Sequence, residues 1–177
     1  IWDAQQDKWH QRVEQASQKA LFEAMELLHT PFDFVYLESH TTAESLKQYE
    51  VLFYPHASIL TPERMAVLEG YVAAGGKLVM GCRTGYKDSY GRCVMEYLPG
   101  LAAELTGTDI PEYTLVAPDE VPVLVDWDGE KVEAAVFNDL LQVKEGTSGE
   151  VLAAYVTADY VGTPALIRNR YGKGEAY

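Results

Sequence analysis

The sequence predicts an α/β fold, with an open, mostly parallel sheet and helices on both faces, followed by a β-rich half. Two observations support this. In residues 1–107, short apolar segments alternate with amphipathic segments of helical length, as in right-handed strand–helix–strand crossovers. In residues 108–177, short β-branched and aromatic segments follow one another with turn residues between them, which predicts an antiparallel meander of hairpins. The whole chain, 1–177, is expected to form one domain.

The first half divides into alternating helices and strands. Apolar residues at helical spacing predict a long amphipathic helix over Trp9–Leu28. Phe32–Leu37 is rich in aromatic and β-branched residues and predicts a strand. Thr42 is a typical helix cap and predicts a short helix through Leu46. The apolar run Tyr49–Tyr54 has no polar alternation, which favours an inner parallel strand covered on both faces.

The next helix has a strong start signal. Thr61 suits the cap, Pro62 the first helical position and Glu63 the first turn. Gly75-Gly76 ends the helix, and the apolar run Lys77–Cys82 that comes next predicts another buried strand.

The second half is punctuated by turn residues. Asp128-Gly129 between two apolar segments is a strong hairpin signal. Tyr171–Gly174 lacks the glycine spacing and following helix of a phosphate loop, so it predicts a turn between strands. The predicted strands are Val121–Trp127, Lys131–Phe137, Leu140–Lys144, Val151–Val156 and Ala165–Tyr171, with Gly174–Tyr177 as the start of another. This half could extend the first sheet or pack as a separate lobe.

Composition and charge argue against several classes of protein. The 177 residues contain 14 Lys and Arg against 27 Asp and Glu, a formal net charge of −13. Such a chain is a poor candidate for binding nucleic acid or anionic lipid, which attract Lys and Arg. Two cysteines form neither a disulfide scaffold nor a four-cysteine zinc site, so a cytoplasmic setting is expected. Both ends look cut through strands, which predicts a fragment of a longer protein.

The end of the Lys77–Cys82 strand is the most suggestive place for chemistry. Cys82 lies at the strand end, where ligands bind in open α/β sheets, and could be a nucleophile. An amidase-type turn around Cys82 would need glycine at positions 80 and 84, which hold Met80 and Thr84. A base is also needed, usually histidine. The four histidines all lie in the first third of the chain: His10, His29, His40 and His56. A small buried thiol is therefore the better interpretation of Cys82.

The other candidate sites have ordinary structural explanations. His56 lies at another strand end, but no carboxylate or second histidine is close to it in sequence. Asp126, Asp128 and Glu130 could suggest calcium, yet the hairpin explains two of them and no 12-residue loop follows. The loop of residues 83–95 mixes Arg, Tyr and Met, which is typical of a protein interface. No catalytic, cofactor-binding or metal-binding residue is predicted.

A series of motifs, in order along the chain, resembles the middle domain of glycoside hydrolase family 42 β-galactosidases. The segments that carry the resemblance are Tyr71–Val79, Arg83–Asp88, Pro99–Leu101, Leu105–Gly107, Asp159–Ala165 and Arg168–Gly174. The resemblance implies a flavodoxin-like, class I glutamine-amidotransferase-like fold that serves as a trimerisation domain. It also implies a cytoplasmic, homotrimeric parent enzyme of carbohydrate metabolism that hydrolyses terminal non-reducing β-D-galactose residues. The two catalytic glutamates of that retaining enzyme would lie in a (β/α)8 barrel outside residues 1–177.

Two alternatives stay open. One is an amidase or amidotransferase that uses Cys82 as its nucleophile. The other is a sugar-binding module at the strand ends near His56 and Cys82, for which the 12 Tyr and 3 Trp of the chain would supply stacking surfaces. The resemblance favours a non-catalytic oligomerisation domain over both.

Overall fold

The computed structural model describes residues 8–117, 119–157 and 159–177. The helices are α1 (Lys8–Leu27), α2 (Ala43–Leu46), α3 (Pro62–Ala73) and α4 (Ala103–Thr106), the last preceded by a 3₁₀ turn at Gly100–Ala102. The strands are β1 (Val51–Tyr54), β2 (Lys77–Met80), β3 (Thr108–Val116), β4 (Val123–Trp127), β5 (Glu130–Ala134), β6 (Val136–Val143), β7 (Glu150–Tyr155), β8 (Pro164–Tyr171) and β9 (Gly174–Ala176).

Seven strands form one curled, mixed sheet in the order β1-β2-β9-β8-β7-β4-β5, and β3 pairs with β6 in a separate ribbon. Among the described residues, only β1 with β2 and β2 with β9 are parallel. The remaining pairs of the sheet are antiparallel. The prediction of a mostly parallel sheet is therefore wrong. The short turns of the second half permit only antiparallel neighbours, and these strands join the sheet through β9.

Local signals placed the first-half helices correctly. The helix predicted over Trp9–Leu28 is α1, shifted by one residue at each end. Thr42 and Ser45 form a reciprocal capping box at α2. At α3, the Thr61 hydroxyl accepts a hydrogen bond from the main-chain N–H of Arg64. These caps supply partners for N–H groups that a helix start leaves unpaired, which is why the sequence marks them.

The strand predicted at Phe32–Leu37 is wrong. Residues 30–38 have no regular structure, and the side chains of Phe34 and Tyr36 are 76% and 74% exposed. The Thr41 hydroxyl donates to the carbonyl of Tyr36 and accepts from the N–H of Glu38, so local bonds replace a strand ladder there. Strand propensity reflects packing on a sheet more than an intrinsic backbone preference, and this segment lies outside the sheet.

In the second half, the hairpin predicted at Asp128-Gly129 is confirmed. Asp128 and Gly129 have φ of 55° and 83°, as a type I′ turn between β4 and β5 requires. The strand predicted over Lys131–Phe137 is split, because Val136 takes a φ of 70° that is rare for a β-branched residue. The bend directs β6 away from the main sheet and into the ribbon with β3, a strand that the sequence pattern did not predict.

The main hydrophobic core lies between α3 and the parallel end of the sheet. Leu68, Val72, Leu78 and Leu105 are buried there together with Ala176 of β9. Tyr71 is also buried in this core. Its hydroxyl donates to the carbonyl oxygens of residues 49 and 77, which ties α3 to the starts of β1 and β2. A second cluster is formed by Val116, Val123, Leu140 and Tyr155.

Candidate functional site

The turn after β2, here called the elbow, shares with nucleophile elbows a pair of flanking glycines and a left-handed residue, Arg83, at its apex, although no helix follows it directly. Gly81 and Gly85 lie two residues before and two after Arg83, the glycine spacing of such elbows. Arg83 has a φ of 61°, in the left-handed region. A Cβ on Gly81 would lie 2.1 Å from the Pro55 carbonyl oxygen, so glycine is required there. Around Cys82 the same two positions hold Met80 and Thr84, so the glycine spacing is centred one residue later, on Arg83.

Asp139 of β6 anchors this turn from the other sheet layer. Its carboxylate accepts hydrogen bonds of 2.8 Å from the main-chain N–H of Arg83 and from the hydroxyl of Tyr86. The hydroxyl of Tyr155 donates to its carbonyl oxygen at 3.1 Å. Burial raises the pKa of the Asp139 carboxyl, although the two hydrogen bonds and the Arg83 charge act in the opposite direction. Burial, together with the charge of Asp139, also raises the pKa of Tyr86.

The side chain of Arg83 is held by aromatic rings. Its guanidinium carbon lies 5.1 Å from the ring centre of Tyr86 and 4.9 Å from that of Phe137, a cation–π arrangement. Phe137 also stacks on Tyr113, with ring centres 5.0 Å apart. A guanidinium stays protonated and cannot act as a nucleophile. Arg83 therefore occupies the position that holds the nucleophile in a catalytic elbow, while its own contacts with Asp139, Tyr86 and Phe137 stabilise the turn.

Cys82 is the residue beside the apex, and its surroundings suppress its reactivity. Burial raises the pKa of the thiol to about 12, and the negative charge of Asp139 adds to the shift. Because the thiolate is the nucleophilic form, almost none of the reactive species exists at neutral pH. The structure thus favours the interpretation of Cys82 as an unreactive thiol, half-buried rather than fully buried, over the amidase alternative.

A cavity of about 290 Å³ opens beside the turn, between the main sheet and the β3–β6 ribbon. Its lining is mostly apolar, and Cys82, Thr84, Asn138 and Asp139 supply polar groups. Among the described residues, the side-chain nitrogen of Asn138 is buried without a hydrogen-bond partner. His56 lies in the turn after β1 and does not line this cavity, so the structure does not bring the two predicted strand-end residues together in it.

The described residues contain no cluster of three or more His, Cys, Asp or Glu side chains placed to hold a metal ion. At the hairpin considered for calcium, the carboxylate of Asp126 instead accepts a hydrogen bond from the N–H of Gly129. None of the helices in residues 8–117, 119–157 and 159–177 combines the length and apolar character needed to cross a membrane.

The loop of residues 83–95 is ordered by its own hydrogen bonds and exposes large apolar side chains. The carboxylate of Asp88 accepts bonds from the N–H groups of Tyr90 and Arg92 and pairs with the Arg92 side chain. These backbone bonds lower the pKa of Asp88. The guanidinium of Arg92 lies 4.9 Å from the centre of the Tyr90 ring. Tyr90 and Met95 are 78% and 98% exposed, and neighbouring Tyr97 is exposed as well.

Comparison with protein families finds one matching family model, described as "Beta-galactosidase trimerisation domain", over residues 2–177. β-Galactosidase BgaH of Haloferax lucentense is 31% identical over 131 residues, which cover 73% of this chain and 19% of the relative. β-Galactosidase BgaA of Clostridium cellulovorans is 30% identical over 135 residues, covering 76% of this chain and 20% of the relative. The chain thus spans about a fifth of the length of these curated relatives.

Solved structures show the same similarity. A catalytic mutant of Gan42B, a GH42 β-galactosidase from G. stearothermophilus, superposes with a TM-score of 0.68 at 27% identity, over 74% of this chain and 19% of that one. The β-galactosidase from Bacillus circulans sp. alkalophilus gives a TM-score of 0.68 at 26% identity, over 75% of this chain and 20% of that one.

Proposed function

The chain belongs to the β-galactosidase trimerisation domain family, and from that premise we propose that it is the non-catalytic oligomerisation domain of a β-galactosidase. The family match over residues 2–177 is the observation that carries this proposal. The parent enzyme hydrolyses terminal non-reducing β-D-galactose residues. Its two catalytic glutamates lie in a (β/α)8 barrel that is separate from residues 1–177, where one acts as acid/base and the other as nucleophile.

The elbow after β2 supports a non-catalytic role. Its apex holds Arg83, which cannot attack a substrate, and the adjacent Cys82 thiol has a pKa raised to about 12. The carboxylate that faces both, Asp139, is already bonded to Arg83 and Tyr86. Nothing in this cluster combines an activated nucleophile with a base, as covalent catalysis requires.

The loop of residues 83–95 is the surface that we assign to contacts within the assembly, either between protomers or with the barrel. Its composition of Tyr, Arg and Met matches that of protein interfaces. It is ordered without any partner because Asp88 bonds its backbone, so little conformational entropy is lost on docking. Three copies would associate through a closed cyclic interface, in which two different patches of each protomer meet.

Two measurements test the proposal. The purified chain should hydrolyse no nitrophenyl β-galactoside, and turnover by the pure chain would refute the non-catalytic role. In the full-length parent, Met95→Asp should shift sedimentation from trimer towards monomer where the loop contacts another protomer, because a charge is then buried in that contact. An unchanged trimer would assign the loop to the barrel. Val161→Asp is the matched control, since Val161 is also exposed but lies in another turn. A parent that sediments as a strict monomer would contradict the trimer.

We extend the proposal to the origin and setting of the domain. The glycine-bounded elbow supports a class I glutamine-amidotransferase-like, flavodoxin-like ancestry, with helices on both faces of the sheet and with its nucleophile replaced by Arg83. The division into a βαβ half, 1–107, and a β-rich half, 108–177, belongs to the same proposal. Two free cysteines support a cytoplasmic setting, and the net charge of −13 supports a protein that binds neither nucleic acid nor membrane.

A further inference from the structure

A cleft of about 320 Å³ lies where the turn between β8 and β9 packs against the end of α3. A Cβ on Gly172 would lie 2.7 Å from the Cα of Ala73. One on Gly174 would lie 2.2 Å from the carbonyl oxygen of Gly76, so only glycine permits this close packing. We call it the cationic cleft, because apart from glycines its lining consists of Lys77, Arg170, Lys173 and Glu175.

Two of the three cations in the cationic cleft have no acidic partner in the part of the chain that the structure describes. Lys77 forms an ion pair at 3.5 Å, whereas Arg170 and Lys173 are exposed and form none there. Glu175, the carboxylate of the lining, already pairs with Arg168 at 3.8 Å. The negative end of the α3 dipole contributes only about half a charge, so it does not neutralise two cations.

The turn between β8 and β9 does not present the row of free backbone donors found in a phosphate loop. The N–H groups of Lys173 and Glu175 donate instead to carbonyl groups at the end of α3, at 3.1 and 3.2 Å. The positive charge of the cleft therefore comes from side chains alone, and these can pair with carboxylates of another surface.

The β4–β5 hairpin has the opposite charge. Residues 126–133 contain four carboxylates against one lysine. Asp128 and Glu130 are exposed at its tip, and within residues 8–117, 119–157 and 159–177 no cation pairs with them. A Cβ on Gly129 would meet no atom within 4 Å, so the tip stands clear of its own protomer. Trp127 beside it is 55% exposed, and tryptophan is enriched among the residues that contribute most to protein interfaces.

The hairpin and the cationic cleft lie at the same end of the sheet but do not meet within one protomer. Since β8 and β4 both run antiparallel to β7, the turns that follow them lie on the same side. In the strand order, β5 is three strands away from β8, which is about 14 Å at the usual strand spacing. An ion pair requires about 4 Å between nitrogen and oxygen, so carboxylates that fill the cleft come from another chain.

We propose that the acidic β4–β5 hairpin of one protomer docks in the cationic cleft of a second copy of this chain, and that this contact holds neighbouring protomers of the trimer together. The inference rests on the oligomerisation role proposed above, and it names the two different patches that a closed cyclic interface requires. Opposite charges favour this pairing, because two hairpins or two clefts that faced each other would repel.

Charge reversal in the full-length parent tests this contact. Glu130→Lys with Glu133→Lys makes the hairpin basic, and Arg170→Glu with Lys173→Glu makes the cleft acidic. Asp128 stays unchanged, because its φ of 55° suits aspartate better than lysine. Each pair of substitutions alone should raise the protomer concentration at which half of the trimer dissociates by at least about tenfold, and all four together should restore it. Sedimentation equilibrium measures that concentration.

Asp119→Lys and Lys19→Glu are the matched controls, since Asp119 is exposed at the other end of β4 and Lys19 is exposed on α1. Both should leave trimer dissociation unchanged, and thermal unfolding verifies that every variant folds. A trimer that neither reversal weakens would overturn this proposal and leave the oligomerisation role intact, whereas a parent that sediments as a monomer would overturn both. Loss of the trimer in each reversal without recovery in the four-fold variant would also overturn it, because the two patches would then have different partners.

Discussion

Replacing Asp139 tests whether this buried carboxylate connects the elbow to the β3–β6 ribbon. In Asp139→Ala, the N–H of Arg83 and the hydroxyl of Tyr86 both lose their acceptor. A buried donor left unpaired costs about 1–3 kcal/mol. The two together should lower the free energy of unfolding by about 2–6 kcal/mol, and Tm by about 2–4 °C for each kcal/mol in a chain of this length.

Asp139→Asn separates hydrogen bonding from charge. An asparagine can accept from the Arg83 N–H through its side-chain oxygen and donate its NH2 group to the Tyr86 oxygen. The Arg83 N–H then keeps its acceptor, whereas the proton of the Tyr86 hydroxyl loses its own. We expect Asp139→Asn to lower the unfolding free energy by about 1–3 kcal/mol, less than Asp139→Ala, because only one donor, the Tyr86 hydroxyl, loses its acceptor. Urea titration followed by tryptophan fluorescence measures both variants. Asp126→Asn, at the exposed β4–β5 hairpin, is the control for loss of a carboxylate.

The pH dependence gives the same test a second readout. Burial raises the folded-state pKa of Asp139 above the unfolded value, so the folded state binds more protons. The stabilisation that the raised pKa of Asp139 contributes is therefore fully present below the unfolded-state pKa of about 3.9. It is lost as pH rises through the folded-state pKa. Asp139→Asn should abolish this part of the profile. An Ala variant as stable as the Asn variant, or an Asn variant with an unchanged profile, would refute the assignment.

Two further predictions concern the same turn. Gly85→Ala should lower the free energy of unfolding, measured by thermal denaturation, by more than about 2 kcal/mol, since Gly85 has a φ of 71° and a Cβ would lie 2.1 Å from the Pro99 carbonyl oxygen. Gly162→Ala is the control: Gly162 has a similar φ but open space around it, and its substitution should lower the free energy of unfolding by only about 1 kcal/mol. Equal losses in the two variants would contradict the argument from close approach. At neutral pH, iodoacetamide should label exposed Cys93 and leave Cys82 unmodified, because the pKa of Cys82 is raised to about 12. Mass spectrometry of the Cys93→Ser variant, in which Cys82 is the remaining cysteine, measures this. Rapid labelling of that variant would contradict the prediction, because it would show that the Cys82 thiolate is accessible.

Signals confined to a few neighbouring residues proved reliable. Thr42 and Thr61 marked helix starts, and Asp128-Gly129 marked a hairpin, because each forms its bonds within its own turn. The ordered series of motifs was specific enough to indicate the family, which the match over residues 2–177 confirms. Phe32–Leu37 has the composition of a strand but gave a wrong prediction, since composition contains no information about whether a neighbouring strand is available.

The elbow marks the limit of what sequence patterns could locate. Gly81 and Gly85 were visible in the sequence, yet only the backbone angle of Arg83 identified the apex. Asp139 is 56 residues from Arg83 and 53 from Tyr86, and no local pattern links them. The position of β9 between β2 and β8 likewise depends on how the two halves meet.

The sequence by itself therefore determined the family, the helix caps and the β4–β5 hairpin. Each of these depends on residue type or on contacts within a few residues. Tertiary structure alone decided the antiparallel majority of the sheet, the Arg83 apex and the environment that raises the pKa of Cys82. These features depend on strand pairing and burial between distant segments, whose free energies arise only when the chain has folded.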